Sequence, residues 1–227
     1  VRQTLRALRQ VAPAARFIYV SSNAVFGGGR GLYRETERPD PAARHDPLRT
    51  YALTKAAGER AALAGWTNTI VARTSVVDGY DAQGRLSARL AALVAELQAG
   101  RPLGRFTDRY LSPTLVDNLV AALLEISAPT FLYRGILHLA GAERVTDYTY
   151  ALALARRLGV SPALVRPEPL AGHPTMAASA RDASLDVTFT QRLLQTRLLD
   201  VEDQLARLFP RVSSGAEAET PGGWHGY

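Results

Sequence analysis

The chain has 227 residues, 47% of them hydrophobic and 21% charged, with a formal net charge of +6. It contains no cysteine, which excludes disulfide frameworks, thiol catalysis and thiolate metal sites. The histidines His45, His138, His173 and His225 lie far apart, so no metal site is expected. No run approaches the roughly 18 apolar residues of a membrane span, so no membrane partner is expected and the expected location is the cytoplasm. The basic residues are scattered, with Arg156-Arg157 the only adjacent pair, so nucleic acid is not an expected partner either.

The first segment, residues 1–10, carries Val1, Leu5 and Leu8 at helical spacing and predicts a helix. Phe17–Ser21 is apolar throughout and bounded by small polar residues, as suits the interior of a parallel sheet. The segment GGGRGLYRETERPDPAARHD then reads as a loop, its glycines as a flexible loop at the active site. Asp46-Pro47 has the form of an N-cap followed by proline at the first helical position, so a helix is expected from there to about Leu63. Thr69–Thr74 is a second buried strand. Residues 86–99 and 114–127 are amphipathic helices, and Gly135–Ala140 is a third short strand. Residues 146–158 are helical and stop at Gly159. Two further helices fall near 188–196 and 200–209, and the tail 210–227 is expected to be disordered, with Trp224 its one large apolar group. Short apolar strands alternating with helices predict an α/β fold with a mainly parallel sheet.

Of the 27 basic residues 26 are arginine; the only lysine is Lys55. Arginine cannot replace lysine where a compact ammonium must approach other groups. Tyr51 and Lys55 form a YxxxK pair, which a helix places on one face. With nine tyrosines and one lysine, such a pair would arise by chance about 0.04 times. A tyrosine hydroxyl exchanges protons poorly near neutrality unless a nearby cation stabilises its anion, and Lys55 is placed to do that. Ser22 ends the first buried strand, where ligands bind in open parallel sheets, and its hydroxyl can hydrogen-bond a substrate carbonyl.

The runs FIYVSSNAVFGG, YRETERPDP and TYALTKAAGE resemble the extended short-chain dehydrogenase/reductases. IVARTSVVDG, LSPTLVDNLVAALLE, GILHLAGAERVTDYTYALALARRLG and ARDASLD resemble, more narrowly, dTDP-4-dehydrorhamnose reductases and their relatives, so that the likeness covers about residues 1–209. The resemblance implies a Rossmann-like doubly wound parallel sheet, truncated at its N-terminus, with a smaller α/β substrate domain. Residues 1–78 and 112–140 would form the nucleotide-binding layer; 79–111 and 141–209 would form the substrate domain. It implies reduction of a 4-keto-6-deoxy sugar nucleotide by NADPH or NADH. Tyr51 would be the proton donor, Lys55 would lower its pKa and bind the nicotinamide ribose, and Ser22 would hold the substrate oxygen. The strand end Arg73-Thr74-Ser75 would lie beside the nicotinamide, with Thr74 and Ser75 as cofactor-binding residues. RYLSPT (109–114) would contact the substrate or support its pocket.

The sequence departs from that family in several places. The strand, GxxGxxG turn and helix that hold a dinucleotide's pyrophosphate have no counterpart, and the first residue is Val1, as fits a fragment or truncated reading frame. The remaining sheet would then expose an edge, which predicts poor solubility or association into a homo-oligomer. The Asp-Tyr usual after the catalytic hydroxyl is Asn23-Ala24, a following Trp is Val76, and an Arg-Pro pair is Ser179-Ala180. Asn23-Ala24 cannot supply the acid and base of a 4,6-dehydratase. Two rival readings stand beside the reductase: a nucleotide-sugar epimerase of the same fold, and a non-catalytic binding or regulatory subunit such as the one that accompanies methionine adenosyltransferase.

Overall fold

The computed structural model describes residues 1–173 and 180–210. The expectations for Ser179 and for the tail beyond Pro210 fall outside them. Helix α1 (Arg2–Val11) buries Leu5 and leads into strand β1 (Phe17–Ser22). Helix α2 (Arg49–Gly65) crosses over to strand β2 (Thr69–Thr74), every residue of which is buried. Next come β3 (Val77–Asp78), α3 (Ala88–Gln98), β4 (Leu103–Phe106), β5 (Tyr110–Leu111) and β6 (Thr114–Leu115). Helix α4 (Val116–Ser127) precedes β7 (Gly135–His138), and β8 (Val145–Thr146) precedes α5 (Asp147–Arg157). Strand β9 (Val165–Glu168) and helices α6 (Thr188–Leu193) and α7 (Val201–Leu208) complete the described chain.

The three apolar strands expected from sequence form one parallel sheet in the order β1-β2-β7. Its register runs from Phe17↔Thr69 to Ser22↔Thr74 and from Ile70↔Gly135 to Arg73↔His138. Strand β1 is an edge of this sheet, and Val20 on it is 40% exposed. Three two-stranded pairs, which local sequence patterns do not reveal, flank the sheet: β3 with β6 and β4 with β9 in parallel, and β5 with β8 antiparallel. Among the described residues no helix is long and apolar enough to cross a membrane.

Helices α2 and α4 begin later than their sequence signals suggest. Helix α2 starts at Arg49, not at Pro47. The Asp46 carboxylate is claimed by the buried Arg44 guanidinium and accepts from Leu48 N at 3.1 Å, so it holds a turn ahead of the helix. Burial alone would raise its pKa; the hydrogen bonds and charge of Arg44 outweigh that and lower it. Residues 114–115, expected to be helical, are strand because Thr114 N donates to Val76 O at 2.8 Å, pairing with β3.

The buried side chains form two clusters. One lies around the parallel sheet and includes Phe26, Ile70, Ala72, Leu137 and Leu185. The other lies among α3, α5 and α7 and is dominated by leucines, Leu90, Leu97, Leu154 and Leu205 among them. Between sheet and helix the fit is close. A Cβ on Gly58 would overlap the Tyr19 hydroxyl, which explains a glycine inside a helix despite its cost there.

Candidate active site

Strand β1 ends at Ser22, and the chain then turns through a short 3-10 segment, Asn23–Val25. The Ser22 hydroxyl caps that turn, accepting from Ala24 N at 3.1 Å, and donates to Asn23 Oδ1 at 3.3 Å. The Asn23 amide group donates to Ser75 Oγ at 3.2 Å and to Ala183 O at 3.0 Å. Ala183 O can only accept, which fixes the amide's orientation and leaves Oδ1 to face Ser22. Ser22 is thereby joined through Asn23 to Ser75, just beyond the end of β2. Thr74 is the register partner of Ser22 on β2; its Oγ1 is buried with no hydrogen-bond partner among the described residues.

Tyr51 and Lys55 lie one turn apart on α2, which packs against β1 and buries Ala52 and Ala56 fully or almost fully. Tyr51 is 43% exposed. The Lys55 ammonium donates to Val20 O at 2.9 Å, on the outer edge of β1. It sits 5.4 Å from the centroid of the Tyr19 ring and 5.6 Å from that of Tyr51. Burial, then the Glu59 carboxylate, raise the pKa of Tyr19.

Arg73 does not join Thr74 and Ser75 at the strand end. Its side chain is wholly buried between β2 and α2 in a bidentate pair with Glu59, Nε to Oε1 at 3.0 Å and Nη2 to Oε2 at 2.8 Å. Alternation along a strand explains this, since neighbours point to opposite faces. His138 lies beside it. Its Nδ1 is 2.9 Å from Asp186 O, which can only accept, so Nδ1 carries the proton and the Nε2 lone pair faces Arg73 Nη1 at 3.5 Å. Burial, with the nearby guanidinium adding to it, pushes His138 down to about 3. Sequence reasoning missed Glu59; the signal was its i+8 spacing from Tyr51, on the same helical face.

The glycine segment is not the flexible loop that its composition suggests. Gly28 O accepts from Asp182 N at 2.8 Å, Leu32 N donates to Ser184 Oγ at 2.9 Å, and Tyr33 stacks on Phe26 with ring centroids 4.1 Å apart. Gly31 has φ +75° and lies against the Asp182 carboxylate, where any side chain would collide. Asp182 also accepts from Arg144 Nε at 2.7 Å, and the Arg144 guanidinium lies 3.4 Å over the ring of Tyr110. The block 109–114 is thus tied to the glycine segment through one buried carboxylate.

Residues 7–214 match the family model described as RmlD substrate binding domain. The chain is 32% identical over 216 residues to a dTDP-4-dehydrorhamnose reductase of Mycolicibacterium smegmatis, an alignment covering 92% of this chain and 60% of that protein. It is 29% identical over 169 residues to the methionine adenosyltransferase 2 subunit beta of Xenopus tropicalis, covering 70% of this chain and 48% of that one. Its fold matches a dTDP-4-dehydrorhamnose reductase of Bacillus anthracis crystallised in complex with NADP, with a TM-score of 0.75 and 20% identity over 92% of this chain and 69% of the other. The chain therefore spans about 60% of the length of the first of these relatives.

Proposed function

The chain belongs to the RmlD substrate binding domain family, and we propose that it carries the reacting half of a nicotinamide-dependent reductase acting on a 4-keto-6-deoxy sugar nucleotide. The observation that carries the reading is the Lys55 ammonium, fixed on Val20 O and set against the Tyr51 ring at the edge of the parallel sheet. Tyr51 hands its proton to the substrate oxygen as that oxygen gains charge, and Lys55 stabilises the phenolate left behind. Ser22 turns its hydroxyl from Asn23 Oδ1 to the substrate carbonyl and polarises it. Asn23 gives no proton, because its amide is spent on Ser75 and Ala183.

NADPH or NADH, when bound, supplies the hydride. Tyr51, Lys55, Thr74 and Ser75 would hold its nicotinamide end, and the unpartnered Thr74 hydroxyl is a group suited to that contact. Among the described residues no strand–glycine turn–helix unit fits the pyrophosphate, so the fit extends to the nicotinamide end alone. In this reading residues 1–78 and 112–140 form the nucleotide-binding layer and 79–111 with 141–209 the substrate domain.

The likeness to a methionine adenosyltransferase beta subunit supports a second reading, a binding subunit without chemistry of its own. Tyr51→Phe separates the two. The reductase reading expects turnover of a dTDP-4-keto sugar, followed by nicotinamide absorbance, to fall about 10²–10⁴-fold, the usual worth of a general acid. Turnover unchanged by that substitution removes the reductase reading.

A further inference from the structure

Three buried polar residues stand directly behind the proposed reacting groups. Ser21 precedes Ser22 on β1, Arg73 precedes Thr74 on β2, and Glu59 lies one helical turn beyond Lys55 on α2. Neighbouring strand residues face opposite ways, so Ser21 and Arg73 turn toward α2 while Ser22 and Thr74 turn away from it. The Ser21 hydroxyl donates to Glu59 Oε1 at 2.6 Å. Arg73 grips the same carboxylate with two hydrogen bonds, and its guanidinium lies 5.0 Å from the centroid of the Phe26 ring. Ser21, Glu59 and Arg73 are all buried. One carboxylate therefore ties together the three elements that carry Ser22, Tyr51 with Lys55, and Thr74.

A buried ion pair adds little net stability over apolar residues of equal volume, but it is directional, and a bidentate guanidinium–carboxylate fork admits one geometry. We propose that Glu59 and Arg73, with Ser21, are positioning residues that hold α2 on the sheet at the one register in which the Lys55 ammonium meets Val20 O beside the Tyr51 ring. The inference rests on reading Ser22, Tyr51, Lys55 and Thr74 as the reacting set, and its test reads position instead of turnover.

Lys55 is the only lysine, so reductive methylation with isotope-labelled formaldehyde marks a single side chain besides the amino terminus. Ring currents from Tyr19 and Tyr51 set the position of its methyl line in an NMR spectrum, and a dimethylated ammonium keeps one N–H for Val20 O. The double variant Glu59→Gln/Arg73→Met removes both charges at nearly constant volume; circular dichroism reports whether it folds. The expected result is a methyl line displaced most of the way to its position in the unfolded chain. Leu154→Ala, in the other cluster, is expected to lower the melting temperature while leaving the line in place. A folded double variant with an unmoved line overturns the proposal, as does an equal displacement in Leu154→Ala. Should the double variant not fold, Ser21→Ala decides: a smaller displacement in the same direction supports the proposal, and none overturns it. Turnover unchanged by Tyr51→Phe would defeat the reductase reading, whereas the position of the methyl line would still decide whether Glu59 and Arg73 set the helix register.

Discussion

The two clusters of buried side chains are built on different principles. The helical cluster among α3, α5 and α7 is filled by leucines, with Leu90, Leu97, Leu154 and Leu205 almost wholly buried. The cluster around the sheet uses smaller residues, Ala56, Ala72 and Ala122 among them, and encloses charged groups: Arg73 with Glu59, Arg44 with Asp46, and a Glu35 carboxylate accepting from Thr190 Oγ1 at 2.6 Å. Leucine packing is tolerant of shape and indifferent to direction, whereas a hydrogen-bonded ion pair specifies angles. The proposed reacting residues all stand on the second kind of core, which is the expected place for groups that must be aimed.

The contrast should show first in stability. Arg73→Ala leaves Glu59 buried without a counter-charge and is expected to cost about 3–5 kcal/mol in denaturant unfolding. Leu154→Ala is expected to cost about 2–5 kcal/mol through cavity formation. The Glu59→Gln/Arg73→Met double substitution is the sharper comparison. It should recover most of the loss of Arg73→Ala, because the penalty belongs to the unpaired charge, whereas no polar swap would repair Leu154→Ala.

Acid should affect the sheet layer selectively. The folded-state value of His138 lies far below its unfolded value of 6.5. As the pH falls below 6.5 the unfolded chain takes up a proton that the native state refuses, so native stability is lost progressively toward a pH of about 3. The loss attributable to this histidine is about 2 kcal/mol at a pH of about 5. Unfolding of the unsubstituted chain and of His138→Gln, followed across that range, should converge as pH falls; parallel curves would show that His138 is not the group responsible. The smallest effect is expected at the helical end. Asp200 caps α7 by accepting from Asp203 N at 2.9 Å, and Asp200→Ala should cost about 1 kcal/mol with no change at Lys55.

Much of the architecture was legible because its strands are short apolar runs and its helices carry regular apolar spacing. Thr69–Thr74 and the sheet's parallel character follow from such local patterns. Tyr51 and Lys55 were legible as a pair because a helix converts i and i+4 into one face, and the solitary lysine made the pair stand out. What escaped was whatever depends on a distant partner. The two-residue strands β3, β5, β6 and β8 have no periodicity of their own and exist only because another segment pairs with them. Asp46 reads locally as an N-cap, but Arg44 claims its carboxylate. Arg73 looked like part of the strand-end ligand site because sequence gives its neighbours, not the Glu59 carboxylate waiting across the interface. The glycine segment looked mobile by composition, and Asp182 and Ser184, about 150 residues further along the chain, hold it in place.

The most direct test of the reductase account is a titration of the purified chain with NADPH and with NADH, followed by nicotinamide fluorescence, for the unsubstituted protein and for Lys55→Met. The account predicts saturable binding to the unsubstituted chain, weakened about tenfold or more when the ammonium is removed, which corresponds to about 1.4 kcal/mol. Identical curves for the two proteins, or no binding up to millimolar cofactor, would contradict it.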